Sequence, residues 1–190
     1  MLGVALGCGV LMPRGKLKAG FKALWEQRAY FLVIVLMANL PDIDYIPGIL
    51  AGGINIFHHW YTHTLGWIAA VAVASWVLWR RADRVGWAVF AVLLAALASH
   101  LVADLFSDDH SFPYGIMALW PFTDTFFISP ASVFWSLRKT TWADVFQWYN
   151  VRAALYEAAV MFPLLVAVLV FKRFAPAGED RSRKLETGNL

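Results

Sequence analysis

An all-α, polytopic membrane helix bundle of about four spans, with an aromatic interfacial segment, is the fold class this sequence predicts, on three observations. Of its 190 residues, 60% are hydrophobic and 15% charged, and mean hydropathy is +0.58, against roughly half apolar and a quarter charged in a soluble domain. The apolar residues fall into runs separated by short polar stretches, and Val85 to Ala98 is fourteen residues without a charge, which suits a chain surrounded by lipid. Thirteen of the sixteen Lys and Arg lie in three clusters, at 14–28, at 80–84 and from 172 onward. Placed in the cytoplasm by the positive-inside rule, those clusters let spans near 29–40, 64–79, 86–106 and 153–171 alternate without conflict.

In chain order, Met1 to Met12 is apolar but only about 18 Å long as a helix, too short to cross a bilayer. Basic residues follow it rather than precede it, which does not fit a signal peptide. Ala29 to Leu40 is marginal as a span and is lengthened by the Lys18–Arg28 stretch, whose basic side chains can snorkel. Pro41 and two aspartates stop it. Tyr45 to Phe57, with Pro47, Gly48, Gly52 and Gly53, reads as a loop or broken re-entrant segment. His59 to Trp79 reads as one helix, histidines at its polar end and Arg80, Arg81 and Arg84 past the other, and Gly86 to Phe106 as the next. Between Ser107 and Asn150, Pro113, Pro121 and Pro130 break the chain, and twelve aromatic residues lie between Phe112 and Tyr149. That composition predicts a segment lying on the membrane, with Trp120, Trp135, Trp142 and Trp148 at headgroup depth. Ala153 to Phe171 is the last span, closed by Lys172 and Arg173. Residues 1–174 thus make one membrane-embedded domain, and 175–190 are predicted to be a polar, disordered cytoplasmic tail.

The formal charge of +3 and pI near 9.1 follow from topology, because the basic residues are divided among clusters between apolar runs. No nucleic-acid partner is expected. Cys8 is the single cysteine, which excludes an internal disulfide and a thiolate metal site.

Against this apolar background, histidines and carboxylates gather in three places. His100 and Asp104 are four residues apart, on one face of a helix, at the far end of the run that begins at Val85. Asp42 and Asp44 follow Pro41, and His58, His59 and His63 lie in HHWYTH; the fifth histidine is His110. Ionisable groups at the edge of such a run are costly and mark function. Taken singly, each cluster has an ordinary explanation: a hydrogen-bonded helix-end pair, or aspartates in a Pro-Asp turn. The alternation that puts the basic clusters in the cytoplasm, however, puts all three at the opposite, non-cytoplasmic face. Read together, Asp42, Asp44, His58, His63, His100 and Asp104 are candidate ligands of a divalent metal. His and carboxylate donors without thiolates suit Zn²⁺, Mn²⁺ or Fe²⁺, and converging clusters can hold two ions. Aspartates at i and i+2 do not share a helix face, so one would ligate while the other orients a histidine; Asp44 is expected to ligate or to act as general base. Thr62, Thr64 and Ser99 adjoin the clusters but serve equally as helix-end hydroxyls. His110, beside Asp108 and Asp109, reads more simply as a loop histidine, and Glu157 is a weak candidate.

Four segments carry a family pattern: LPDIDYIPG at 40–48, HHWYTHTL at 58–65, SHLVADLF at 99–106 and YGIMALWPF at 114–122. In order and spacing they resemble the Leu-Pro-Asp-x-Asp, His-Arg-Gly-x-Thr-His-Ser, Ser-His-x-x-x-Asp and Gly…Leu-Trp-Pro-Phe segments of the bacterial inner-membrane metal-dependent hydrolase family, the YdjM-like, LexA-regulated type. The resemblance covers residues 30 to 125 or so. It implies a multi-pass inner-membrane protein holding Zn²⁺ or Mn²⁺ on the six residues named, and a hydrolytic activity. His59 and Trp60 replace the family's Arg-Gly, which removes a candidate phosphate-binding arginine. SDDHSFP is longer and more acidic than the family's turn, and no histidine precedes His58 to match its Thr-His near the N-terminus. The His-x-x-x-Asp spacing is also similar to that of zinc-dependent phospholipases C, which points to phosphoesters. The expected chemistry is hydrolysis by a water that the ion makes acidic, acting on a phosphoester in a lipid or another membrane-associated substrate. The alternative is a non-enzymatic divalent-metal-binding or transport membrane protein. Transport asks for polar groups near the bilayer midplane, and apart from Asn39 and Glu157 the polar candidates gather at helix ends.

Overall fold

A computed structural model describes residues 2–12, 17–83, 86–109 and 114–175. The helices are α1 (Leu2–Leu11), α2 (Leu17–Glu26), α3 (Arg28–Asn39), α4 (Tyr45–Leu50), α5 (Leu65–Asp83), α6 (Trp87–Leu105), α7 (Trp142–Val145) and α8 (Trp148–Phe174), with 3-10 turns at Leu40–Asp44 and Tyr61–His63. Two-residue strands β1 (Ser107–Asp108) and β2 (Phe134–Trp135) pair in parallel. The predicted all-α architecture is what the chain adopts.

Three segments are long and apolar enough to cross a membrane: Arg28–Leu50, Trp87–Leu105 and Trp148–Phe174. None of the apolar stretch of α8 is buried inside the protein, and Leu155, Phe162 and Phe171 stand exposed along it. A helix that is apolar all round and unburied needs an apolar solvent. The fourth predicted span, α5, is 19 residues long but ends on Arg80 and Arg81, which keeps it out of that group. α1 is apolar and shorter. It packs on α3 through Gly3 and Gly7: a Cβ at Gly3 would stand 2.8 Å from Ala38 Cβ, and one at Gly7 2.6 Å from the Phe31 ring. Small residues four apart let two backbones approach this closely. α3 meets α6 through Ile34, Ala38 and Ala96, and α5 meets α6 through Ile68, Ala72, Leu97 and Leu101, closed over by Ile116.

The ends of the bundle differ in chemistry. Trp76 stacks on Trp87 and donates its indole N–H to the Gly86 carbonyl, and Lys172 reaches the Met12 carbonyl, so Arg80, Arg81, Lys172 and Arg173 lie at one end. The C-terminal ends of α3 and α6 and the N-terminal ends of α5 and α8 form the other, which carries the acidic and histidine clusters.

Local structure departs from expectation in three places. Tyr45 to Phe57 is not all loop: α4 occupies its first part, because Pro47 falls in a first turn whose N–H groups have no helical partner anyway. Pro41 and the aspartates therefore do not end the run, which continues to Leu50. The helix predicted from His59 starts at Leu65 instead, since Thr64 Oγ accepts the Trp67 N–H at 3.0 Å and caps it. α8 begins at Trp148, ahead of the predicted Ala153. The aromatic segment is an irregular cap over the site end, tied to α6 by β1–β2 and to α8 by Trp135, which stacks on Tyr156 at 4.6 Å. His110 and residues 176–190 lie outside the described residues.

Candidate metal centre

Residues from three elements, the two 3-10 turns and α6, meet beneath the aromatic cap. The 3-10 turn Leu40–Asp44 begins on Pro41; at about three residues per turn, it sets Asp42 and Asp44 roughly 120° apart, closer than an α-helix would. Asp42 Oδ1 points inward, 3.4 Å from His100 Nε2 and 3.8 Å from His63 Nε2. From α6, Asp104 Oδ2 lies 3.3 Å from both His63 Nε2 and His100 Nε2. Donor atoms on a tetrahedral ion at about 2.0–2.2 Å would stand about 3.3–3.6 Å from one another, and three of the four contacts just given, at 3.3–3.4 Å, match that spacing, with the fourth at 3.8 Å. Among the described residues, His63 Nε2, His100 Nε2 and Asp104 Oδ2 are buried and make no hydrogen bond. Facing one another at 3.3 Å without a hydrogen bond of good geometry, the two imidazole nitrogens and the carboxylate oxygen would be satisfied together by a proton or by a shared cation. The residues present fit a divalent ion on Asp42, His63, His100 and Asp104.

The atoms behind this set fix its orientation. The Ala38 carbonyl lies 2.9 Å from His100 Nδ1 and accepts its proton, which leaves the Nε2 lone pair facing the centre. His63 Nδ1 is 3.1 Å from Asp44 Oδ2, which turns Nε2 to the centre, a carboxylate–histidine pair of the kind that supports metal ligands. Asp44 is fully engaged: Oδ1 meets His58 Nδ1 at 3.1 Å, and Oδ2 also accepts the Thr62 hydroxyl at 2.8 Å. His58 joins the set through Asp42, its Nδ1 3.8 Å from Asp42 Oδ1 and 3.1 Å from Asp44 Oδ1, while its Nε2 lies within 2.9 Å of the Tyr45 hydroxyl and 2.7 Å of Lys139 Nζ; Asp42, Asp44 and His58 thus form a second group of donors beside Asp42, His63 and His100. Thus the six sequence candidates cluster, with Asp42 shared between a group that it forms with His63 and His100 and one that it forms with Asp44 and His58, and with Asp104 beside the first.

Charge follows the same pattern. Burial pushes the His63 imidazole down, but the carboxylates of Asp104, Asp42 and Asp44 outweigh it and raise its pKa to about 10. The site therefore attracts positive charge, as a proton or as an ion. Burial pushes His58 down as well; Asp44 opposes this, Lys139 adds to it, and the ring titrates at about 3. Burial also holds the Lys139 ammonium below the usual lysine range, against the pull of the surrounding aspartates.

Of the other residues, Thr62 does bridge Asp44 and His63, whereas Thr64 caps α5 and the Ser99 hydroxyl donates to the Ala96 carbonyl. His59 adopts φ 68°, the left-handed region that histidine enters more readily than most residues, and its Nδ1 sits 3.2 Å from Asp109 Oδ2. A cavity of about 210 Å³ opens onto the centre, lined among others by Asp42, His100, Asp104, Trp135, Lys139 and Glu157. Tyr45 and Lys139 carry no metal-ligand or helix-face signature in the sequence. Lys139 lies inside the aromatic segment, and only the fold brings it to His58.

A family model described as YdjM inner membrane protein matches residues 1–175, well beyond the stretch that carries the motifs. No curated protein and no solved structure matches the chain.

Proposed function

The chain belongs to the YdjM inner membrane protein family, and from that premise we propose that it is a multi-pass hydrolase working with one divalent ion, Zn²⁺ or Mn²⁺. The observation that carries this reading is the convergence of three buried donor atoms that make no hydrogen bond, with Asp42 Oδ1 beside them, at 3.3–3.8 Å. A bound ion would acidify a coordinated water near neutral pH and stabilise negative charge on an ester oxygen. In this scheme Asp42, His63, His100 and Asp104 hold the ion. Asp44 works chiefly through His63 and His58, whose Nδ1 atoms its two oxygens face. The substrate is a phosphoester of a lipid or of another membrane-associated molecule, which reaches the centre through the cavity beneath the aromatic cap. The basic residues at the far end favour a site on the non-cytoplasmic face.

The test starts from protein purified in mild detergent. Wild type should retain about one Zn²⁺ or Mn²⁺ per chain, the number of ions its four converging donors suit, and His100→Ala or Asp104→Ala should lose it while Glu157→Ala keeps it. Loaded protein should cleave a phosphoester amphiphile; a chelator should abolish the activity, and the ion should restore it. Asp44→Asn should lower turnover steeply and weaken metal affinity by about 10–100-fold, the effect expected of an orienting carboxylate. Complete loss of the ion in Asp44→Asn would make Asp44 a ligand. Metal retained in both His100→Ala and Asp104→Ala would overturn the centre as drawn, and a loaded protein inert across a broad ester panel would favour a metal-binding protein.

A further inference from the structure

Lys139 is the residue the metal reading leaves unused. Among the described residues lining the cavity it is the one Lys or Arg, against Asp42, Asp104, Asp109 and Glu157. Its position is built. Asn150, in the first turn of α8, accepts the Arg138 backbone N–H at 2.8 Å and donates to the Arg138 carbonyl at 2.7 Å. This bracket holds the residue next to Lys139, while β1–β2 pins the same segment to the end of α6. The ammonium donates to the Tyr45 hydroxyl and to His58 Nε2. An ammonium has three protons and no acceptor, so His58 carries its own proton on Nδ1, facing Asp44, and one Lys139 N–H is left for the cavity.

A cavity lined by four carboxylates repels any anion. A divalent ion offsets part of that field, yet an ester that brings its own negative oxygens needs a second positive group near the first. We propose that Lys139, held by Tyr45 and His58, is the subsite that binds the anionic oxygens of a phosphate group beside the ion, and so selects phosphoesters over neutral esters. The remainder of the substrate would lie along Phe134, Trp135 and Leu137, which line the same cavity. This inference rests on the metal-dependent reading above and is tested apart from it.

The measurement is equilibrium dialysis of radiolabelled inorganic phosphate against full-length protein in neutral detergent, with and without Mn²⁺, alongside metal content. Wild type loaded with Mn²⁺ should bind phosphate saturably. Lys139→Met should keep its Mn²⁺ but lose phosphate affinity by about tenfold or more, the scale of a hydrogen bond to a charged group. Lys139→Arg should retain most of the affinity. Arg138→Met, whose side chain lies over Tyr149, should bind as wild type does; it and Lys139→Arg keep the comparison alive if Lys139→Met does not fold. Mixed micelles carrying a phosphomonoester lipid separate the two sources of such a group: displacement of the label by the doped micelles and not by neutral ones assigns the subsite to a lipid headgroup, and displacement by neither assigns it to a water-soluble phosphate ester. Absent metal in wild type would remove the hydrolase reading, while Lys139-dependent phosphate binding in the same sample would sustain the subsite. Equal phosphate affinity in Lys139→Met and wild type, or no saturable binding in either metal condition, overturns it.

Discussion

At His63 three carboxylates converge on one imidazole, and the competition between proton and metal is decided there. Its raised pKa of about 10 means that the ring is protonated at neutral pH, and a cation that takes its Nε2 must displace that proton. The sign follows: binding weakens as pH falls and strengthens as pH rises toward 10, by about tenfold per unit for one displaced proton. Calorimetric titration of metal-free protein with Zn²⁺ in buffers of different ionisation enthalpy should therefore record about one proton released per ion at pH 7; no release would mean that the ion does not use His63. At this scale much of the centre was legible. His100 and Asp104 could be paired from helical periodicity alone. The division of labour between Asp42 and Asp44 was open, because it depends on the 3-10 geometry of the Pro41 turn, which a helix-face argument does not supply. Lys139 was invisible: its partners Tyr45 and His58 are 94 and 81 residues away, and no local pattern encodes that distance.

Among the elements, the aromatic cap is the one whose form the composition did not reveal. Trp and Phe content predicts interfacial placement, but not the two strand residues and the bridge Ile116–Phe127 that hold the segment over the site. Gly115 is the hinge of that arrangement. Its φ of 85° is open to glycine, a Cβ there would stand 2.2 Å from the Phe127 carbonyl oxygen, and its N–H donates to Asp109 Oδ2 at 2.9 Å. Asp109 in turn faces His59, so the turn at 115 is coupled to the histidine loop. Gly115→Ala should cost about 1–3 kcal/mol from backbone strain alone and loosen the cap. It should appear as a lower melting temperature in detergent and faster protease cleavage between 114 and 147. Gly86→Ala, where nothing lies within 4 Å of the added carbon and φ is negative, is the control and should lose only the smaller N-cap preference of glycine over alanine. The transmembrane elements were easier to read, since α6 and α8 are specified by apolar length. The start of α5 is not legible in the sequence, because Thr64 looks like any helix hydroxyl until its bond to the Trp67 N–H is seen.

For the whole molecule the question is which way the bundle faces. Arg80, Arg81, Lys172 and Arg173 end α5 and α8 at the end of the bundle away from the candidate centre. Basic residues resist translocation, so that end is expected in the cytoplasm and the centre outside it. The consequence is testable with single cysteines, because Cys8 is buried and can be replaced by serine. Thr125 is exposed on the cap and Arg81 is exposed at the opposite end. In a Cys8→Ser background, Thr125→Cys should react with a membrane-impermeant thiol reagent in intact spheroplasts, and Arg81→Cys only after the membrane is opened. The two positions must differ if the bundle spans the bilayer; equal labelling of both in sealed spheroplasts would refute the multi-pass arrangement. The reverse pattern would keep the spans but turn the centre to the cytoplasm, where a non-cytoplasmic substrate could not reach it. The orientation also bears on the chemistry, since Thr125 belongs to the same cap as the cavity-lining Trp135, and the side on which it is labelled is the side from which substrate would be presented.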